Sequence, residues 1–132
     1  MEKLSVSTGT IWEQRYGYCR AVRYGERILV SGTTATGPDG FVVGQGDPAR
    51  QAAYIIDKIE RAIGELGGRL ADIVRTRIYV SNMAHWEVVA SVHGERFKGI
   101  CPANTLVEAR LVDDVYLVEI EAEAIVGAGH AL

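Results

Sequence analysis

The chain has 132 residues, 48% of them apolar, which fits one domain around one core and excludes disordered and fibrous classes. Its formal net charge of −3 and pI near 5.6 lack the basic footprint of a nucleic-acid binder. No stretch approaches the roughly 18 uninterrupted apolar residues of a membrane helix, the N-terminus lacks the apolar run of a signal peptide, and Cys19 and Cys101 have no metal or redox spacing, so a soluble cytoplasmic protein with reduced thiols is expected.

In chain order, Tyr18 to Tyr24 and Arg27 to Ser31 flank Gly25-Glu26, the pattern of a hairpin with a tight turn. Thr36-Gly37-Pro38-Asp39-Gly40 is a second turn signal, and Phe41-Val42-Val43 is predicted as a short strand after it. Asp47-Pro48 then opens a helix, since Asp is a preferred N-cap and Pro fits the first helical position. Ala52, Ile56, Ile59, Ile63 and Leu66 form its apolar stripe, Asp57 and Arg61 are spaced for an outer-face pair, and Gly67-Gly68 ends it.

Ile73 to Val80 reads as the next strand, with Val74, Thr76, Ile78 and Val80 on one face and Arg75, Arg77 and Tyr79 on the other. A second helix is predicted from about Ala84 to Phe97, placing Trp86, Val89, Ala90, His93 and Phe97 on one side. Strands Thr105 to Arg110 and Val115 to Val126 follow, then a frayed tail from Ala128 to Leu132. The order is β-β-β-α-β-α-β-β, an α+β domain spanning residues 1–132 with two helices on one face of a mixed sheet.

The last strand alternates apolar and acidic residues, so Glu119, Glu121 and Glu123 stand in a row on one face. Like charges in such a row repel unless solvent or cations answer them. Two readings stay open: a wet sheet face, in which Arg20, Arg75, Arg77 or Arg110 pairs with the row, or a site lined by at least one of these acids.

Two other motifs are set aside. Gly44-Gln45-Gly46-Asp47-Pro48-Ala49 imitates a dinucleotide fingerprint, but Asp47 as N-cap puts a negative side chain where a pyrophosphate would bind. His85 and His93 lie about 12 Å apart along one helix, so no shared metal ion, and no cofactor, is expected. On the apolar stripe His93 reads as a hydrogen-bonded core residue.

The chain resembles the Rid family (RidA, also called YjgF) of reactive-intermediate deaminases. The resemblance is carried by Pro102-Ala103, Val107-Glu108, Arg110-Leu111 and Val118-Glu119-Ile120-Glu121-Ala122, and upstream by Ile28-Leu29-Val30-Ser31-Gly32 and Asp72-Ile73-Val74-Arg75-Thr76. It spans roughly Tyr16 to Val126, and the order and spacing of these segments together make it specific. The resemblance implies a chorismate-mutase-like fold, a homotrimer with small-molecule sites in clefts between subunits, and hydrolysis of enamines and imines. It also implies that Glu119 activates the attacking water, that Tyr18 walls the pocket, and that the backbone at Gly32 contacts substrate beside Thr33-Thr34. The family's substrate-binding arginine follows Pro-Ala; here that position is Asn104, next to Thr105, and the family's small polar residue two further on is Leu106. An asparagine offers N–H donors without charge, whereas a guanidinium grips a carboxylate through two charge-assisted bonds.

The expected function is therefore hydrolysis of an imine, enamine or related small metabolite other than the usual 2-aminoacrylate type, with Glu119 catalytic and Tyr18, Gly32, Thr33, Asn104 and Thr105 binding substrate. The alternative is a non-catalytic trimeric ligand-binding or stress-protective protein. No nucleic-acid or membrane partner is expected.

Overall fold

The computed structural model describes residues 1–131. Strands β1 (Leu4–Val6), β2 (Ala21–Tyr24), β3 (Arg27–Thr34), β4 (Ile73–Val80), β5 (Ala103–Glu108) and β6 (Val118–Ile125) form one sheet in the order β1-β2-β3-β6-β4-β5. All neighbours are antiparallel except β4 and β5, which run parallel because helix α3 (Trp86–Arg96) carries the chain back across the sheet. The long helix α2 (Pro48–Glu65) packs on β3 and β6, and α3 packs beside it. The architecture is the expected mixed α+β domain.

The alternation of β6 explains the layering. Val118, Ile120, Ala122 and Ala124 are buried under the helices, and Glu119, Glu121 and Glu123 lie half-buried on the other face. Ile55, Ile56, Ile59 and Ile63 of α2 meet Ile28, Val30, Ile78 and Ile120 of the sheet in one core. At the start of α2 the Asp47 carboxylate accepts the Arg50 N–H at 3.1 Å, a cap contributing about 1 kcal/mol. At its end Gly67 adopts φ +87°, and the Gly68 N–H returns to the Ile63 carbonyl.

Several local expectations are corrected. Phe41–Val43 is not a strand: Val42 makes an isolated bridge to Thr36 and Phe41 is exposed, because the Pro38-to-Gly40 turn folds the segment back on itself. The sixth strand is instead β1 at the N-terminus, followed by the short helix α1 (Ile11–Tyr16). Asp57 pairs with Arg96 of α3 at 2.6 Å, across the helix pair and away from Arg61. Trp86 is exposed, so α3 buries chiefly Val89, with Phe97 just beyond it. The last strand begins at Val118, since Asp113 to Tyr116 form a turn. The tail is docked through residue 131: the Asp72 carboxylate accepts the N–H groups of Gly127 and Gly129, holding a 3₁₀ turn over Ala128–Ala131. Leu132, the last residue of the predicted frayed tail, lies outside the described residues.

Candidate functional site

β3 pairs with β6 through an irregularity between Val30 and Thr33, where Ser31 and Gly32 bulge out of register. A bulge bends its strand and re-aims side chains. Here it brings the Gly32 backbone against the Glu119 carboxylate, so that a β-carbon at position 32 would collide with Oε2. Beyond the bulge Thr34 pairs with Glu119 in register, and both face a cavity of about 400 Å³.

α1 supplies the cavity's inner wall. The Glu13 carboxylate accepts hydrogen bonds from Ser7 Oγ (2.8 Å), Thr8 N (3.0 Å), Thr8 Oγ1 (2.6 Å) and Thr10 Oγ1 (2.8 Å). It also meets Arg20 Nη2 at 3.4 Å, and both charged residues are 3% exposed. Burial pushes the Glu13 carboxyl upward, but these donors outweigh it and hold the pKa at about 2. Arg20 Nη1 donates to the Gly32 carbonyl at 2.5 Å and to Thr33 Oγ1 at 3.1 Å, and the guanidinium lies 5.7 Å from the Tyr18 ring centre. One ion pair therefore ties the N-terminal strap to the bulge that presents Glu119.

Glu119 differs from its neighbours on the acidic row. Glu121 accepts from the Tyr79 hydroxyl and from Arg77, and Glu123 is answered by Arg77 and Arg27. Those two acids are the charge-paired sheet face. Among the described residues Glu119 has no ion pair within 4.0 Å. Burial raises its pKa above the ordinary carboxylate value, Arg20 offsets part of that rise, and the Glu121 charge adds to it. A carboxyl in a cavity wall with raised proton affinity is suited to take a proton from water and return it.

The expected site residues fall into two groups. Tyr18, Gly32 and Glu119 line the same cavity. Thr33 does not: it is fully buried on the helix side, where its hydroxyl donates to the Ser31 carbonyl at 2.7 Å and braces Arg20. Asn104 and Thr105 lie on β5, on the far side of β4 from Glu119. Asn104 Nδ2 donates to Thr76 Oγ1 at 3.0 Å, and Thr76 Oγ1 shares a 2.8 Å bond with His93 Nε2. His93 stacks on Phe97 at 4.4 Å, and burial lowers its pKa, as suits a neutral, half-buried imidazole. Thr105 is the register partner of Arg77. Within one chain, Asn104 and Glu119 share no cavity.

A family model described as Endoribonuclease L-PSP matches residues 12–126. Rv2704 of Mycobacterium tuberculosis, described as a member of the YjgF/YER057c/UK114 family, superposes with a TM-score of 0.86 at 41% identity over 95% of this chain and 100% of that one. The chain belongs to the YjgF/Rid family. YyfA of Yersinia pestis, a Rid-family protein of unknown function, superposes at 0.83 with 27% identity over 95% of this chain and all of that one. An uncharacterized Streptomyces coelicolor protein, SCO2049, is 35% identical over 93% of this chain and 92% of its own length.

Sequence reasoning missed two features of this YjgF/Rid site. The first is the strap carrying Thr10, Trp12 and Tyr16 into the cavity wall. The second is Lys58, which also lines it and is 7% exposed. Lys58 had a visible signal: it falls between Ile55 and Ala62 on the buried stripe of α2, at steps of three and four. No group of three or more His, Cys, Asp or Glu placed to hold a metal occurs among the described residues. Both cysteines are free, and no described helix is long and apolar enough to cross a membrane.

Proposed function

We propose that the chain is a hydrolase of small imines or enamines that works as a homotrimer, with Glu119 as its general base and acid. The observation that carries this reading is the Glu119 carboxyl: unpaired among the described residues, in a cavity wall, with raised proton affinity. Water adds to the C=N carbon while Glu119 takes its proton. That proton passes to nitrogen to give a carbinolamine; Glu119 then takes the carbinolamine hydroxyl proton and delivers it to the same nitrogen, so that the C–N bond breaks and ammonia leaves as the carbonyl forms. Each cycle consumes one water and returns Glu119 to its starting state. Family membership supports the reaction class, and the separation of Asn104 from Glu119 within one chain supports a site completed by a second copy.

Exposed apolar side chains support the same assembly. Tyr16 and Val112 rim the Glu119 cavity, and Leu29 and Val107 lie on strand positions away from the helices. Apolar surface at such a rim favours a partner. The endoribonuclease description is not carried over to this chain. Phosphate contacts supply most nucleic-acid affinity, and a net charge of −3 opposes them.

Asn104 sets the substrate expectation. Losing a cation–carboxylate clamp in a cleft costs about 2–5 kcal/mol, so 2-aminoacrylate is expected to be a poor substrate. Ammonia release from imines generated in situ tests this. Accelerated release on another small imine, with slow release on 2-aminoacrylate, is the expected pattern; fast turnover of 2-aminoacrylate would contradict it. Absence of hydrolysis across the panel favours the second reading, a trimeric ligand-binding protein, which the uncharged Asn104 and Leu106 positions motivate.

Gly32→Ala is expected to fold normally, because the clash falls on the mobile end of the Glu119 side chain. Displacing a catalytic group by about 1 Å costs about 10²-fold in rate. The expected result is a stability change below about 1 kcal/mol with ammonia release reduced about 10²-fold, read by thermal unfolding and steady-state kinetics on the same preparation.

A further inference from the structure

Lys58 is a buried cation that makes no ion pair within 4.0 Å among the described residues. Its Nζ donates to the Thr36 carbonyl at 3.1 Å, leaving two N–H donors without a protein partner among the described residues. The neighbouring buried cation, Arg20, has Glu13 as its counter-ion, but its Nε is buried without a hydrogen-bond partner. Glu13 is committed to Arg20 and Glu119 makes no ion pair, so among the described residues no carboxylate lies within 4.0 Å of the Lys58 ammonium, whereas buried charges are ordinarily paired. Lys58 stands where the Glu119 cavity adjoins a second cavity of about 490 Å³, enclosed by the strap, the Thr36–Gly40 turn and α2.

From this placement we infer that Lys58, with Arg20 behind it, forms an anion subsite at the junction of the two cavities, and that it holds a carboxylate remote from the reacting C=N carbon of the substrate. The inference rests on the hydrolytic reading for its second half alone; the subsite stands on the geometry. A single ammonium without an ion-pair partner matches a monoanion. A phosphate dianion would add surplus negative charge beside Glu13, Glu119, Asp39 and Glu65. A carboxylate carried on the reacting carbon would lie beside the Glu119 carboxylate, which repels it. A spaced carboxylate instead reaches Lys58 while the C=N group lies against Glu119.

The ammonium must be charged to act. Burial and the nearby Arg20 charge lower its pKa to about 8, Glu13 raises it, and Arg61 of the same helix lowers it further. The other ionisable groups facing these two cavities are Glu119 of β6, Asp39 of the turn, Glu65 of α2, and Tyr16, Tyr18 and Tyr54. Anion affinity should therefore be full near pH 7 and fall as the pH rises through about 8.

Calorimetric titration of the full-length protein with pentanoate, its neutral isostere pentanamide and inorganic phosphate tests the subsite. Pentanoate is expected to bind at least about 10-fold more tightly than pentanamide at pH 7, with the preference lost at pH 9.5 and in Lys58→Met. Lys58→Arg should retain it. Equal affinity for the acid and the amide, or a preference that survives in Lys58→Met, would overturn the inference, and tighter binding of phosphate would overturn the carboxylate assignment. If Lys58→Met does not fold, the acid–amide comparison and its pH dependence decide. A pentanoate preference in a protein that hydrolyses no imine sinks the hydrolytic reading and leaves the subsite; hydrolysis without that preference does the reverse.

Discussion

Glu119→Gln is expected to reduce ammonia release by about 10²–10⁴-fold, the usual contribution of a positioned general acid–base. Glutamine keeps the size and hydrogen-bonding reach of the side chain and removes its basicity. The fold should not suffer. Burial raises the folded-state pKa of Glu119 above its unfolded value, so the ionised carboxylate opposes folding at neutral pH. Its stabilising contribution belongs below the unfolded pKa and is lost as pH rises through the folded one. A neutral glutamine should leave the unfolding temperature at pH 7 unchanged or higher. The wild-type rate should rise with pH through the raised Glu119 pKa, and the variant should lack that limb. Steady-state assays over a pH series, paired with thermal unfolding, check both expectations. A variant retaining wild-type turnover would remove Glu119 from the chemistry.

Glu13→Ala is expected to destabilise the protein by about 3–5 kcal/mol, because it leaves Arg20 charged and buried without its counter-ion. The effect should reach function as well, since Arg20 holds the Gly32 carbonyl and so fixes the bulge beside Glu119. The wild type carries the same information in its acid sensitivity. With a folded-state pKa of about 2 against an ordinary 4.5, the Glu13 carboxyl contributes stability that is present above pH 4.5 and lost as pH falls toward 2. At about 1.4 kcal/mol per pH unit, that loss is about 3 kcal/mol. Chemical denaturation of wild type and variant between pH 2.5 and 7 should show two curves that converge at low pH. Parallel curves would mean that Glu13 stays ionised without stabilising the fold.

The parts of the fold that sequence reasoning found are those with long periods. α2 has a five-residue apolar stripe, a capping aspartate and a terminal glycine pair, so its position and buried face were readable. β6 declares both faces by strict alternation. The strap was not readable. β1 has three residues and α1 has six, too few to show a period, and Ser7-Thr8-Gly9-Thr10 reads as a loop. That segment is held by tertiary contacts, through Glu13 and Arg20, and no local propensity reports them.

The candidate site divides the same way. The acidic row was visible, but which acid stays unpaired depends on where Arg77 and Arg27 reach, a cross-strand property. Gly32 and Tyr18 entered through the family resemblance, and the bulge gives that resemblance a physical basis. Thr33, adjacent to Gly32 in sequence, points the other way because the register resumes there and returns its side chain to the helix face. Asn104 and Thr105 were grouped with Glu119 by family position, yet they sit across β4 from it. If the site is shared between copies, as proposed, the geometry of one copy carries no trace of that grouping.

That last point exposes the whole proposal to a molar-mass determination. Sedimentation equilibrium of the purified protein at micromolar concentration should return three times the 14.4 kDa chain mass, with the apolar rim at Tyr16 and Val112 covered by a neighbouring copy. A mass of one chain, unchanged across the concentration range, would leave Glu119 and Asn104 in separate places and contradict a shared site.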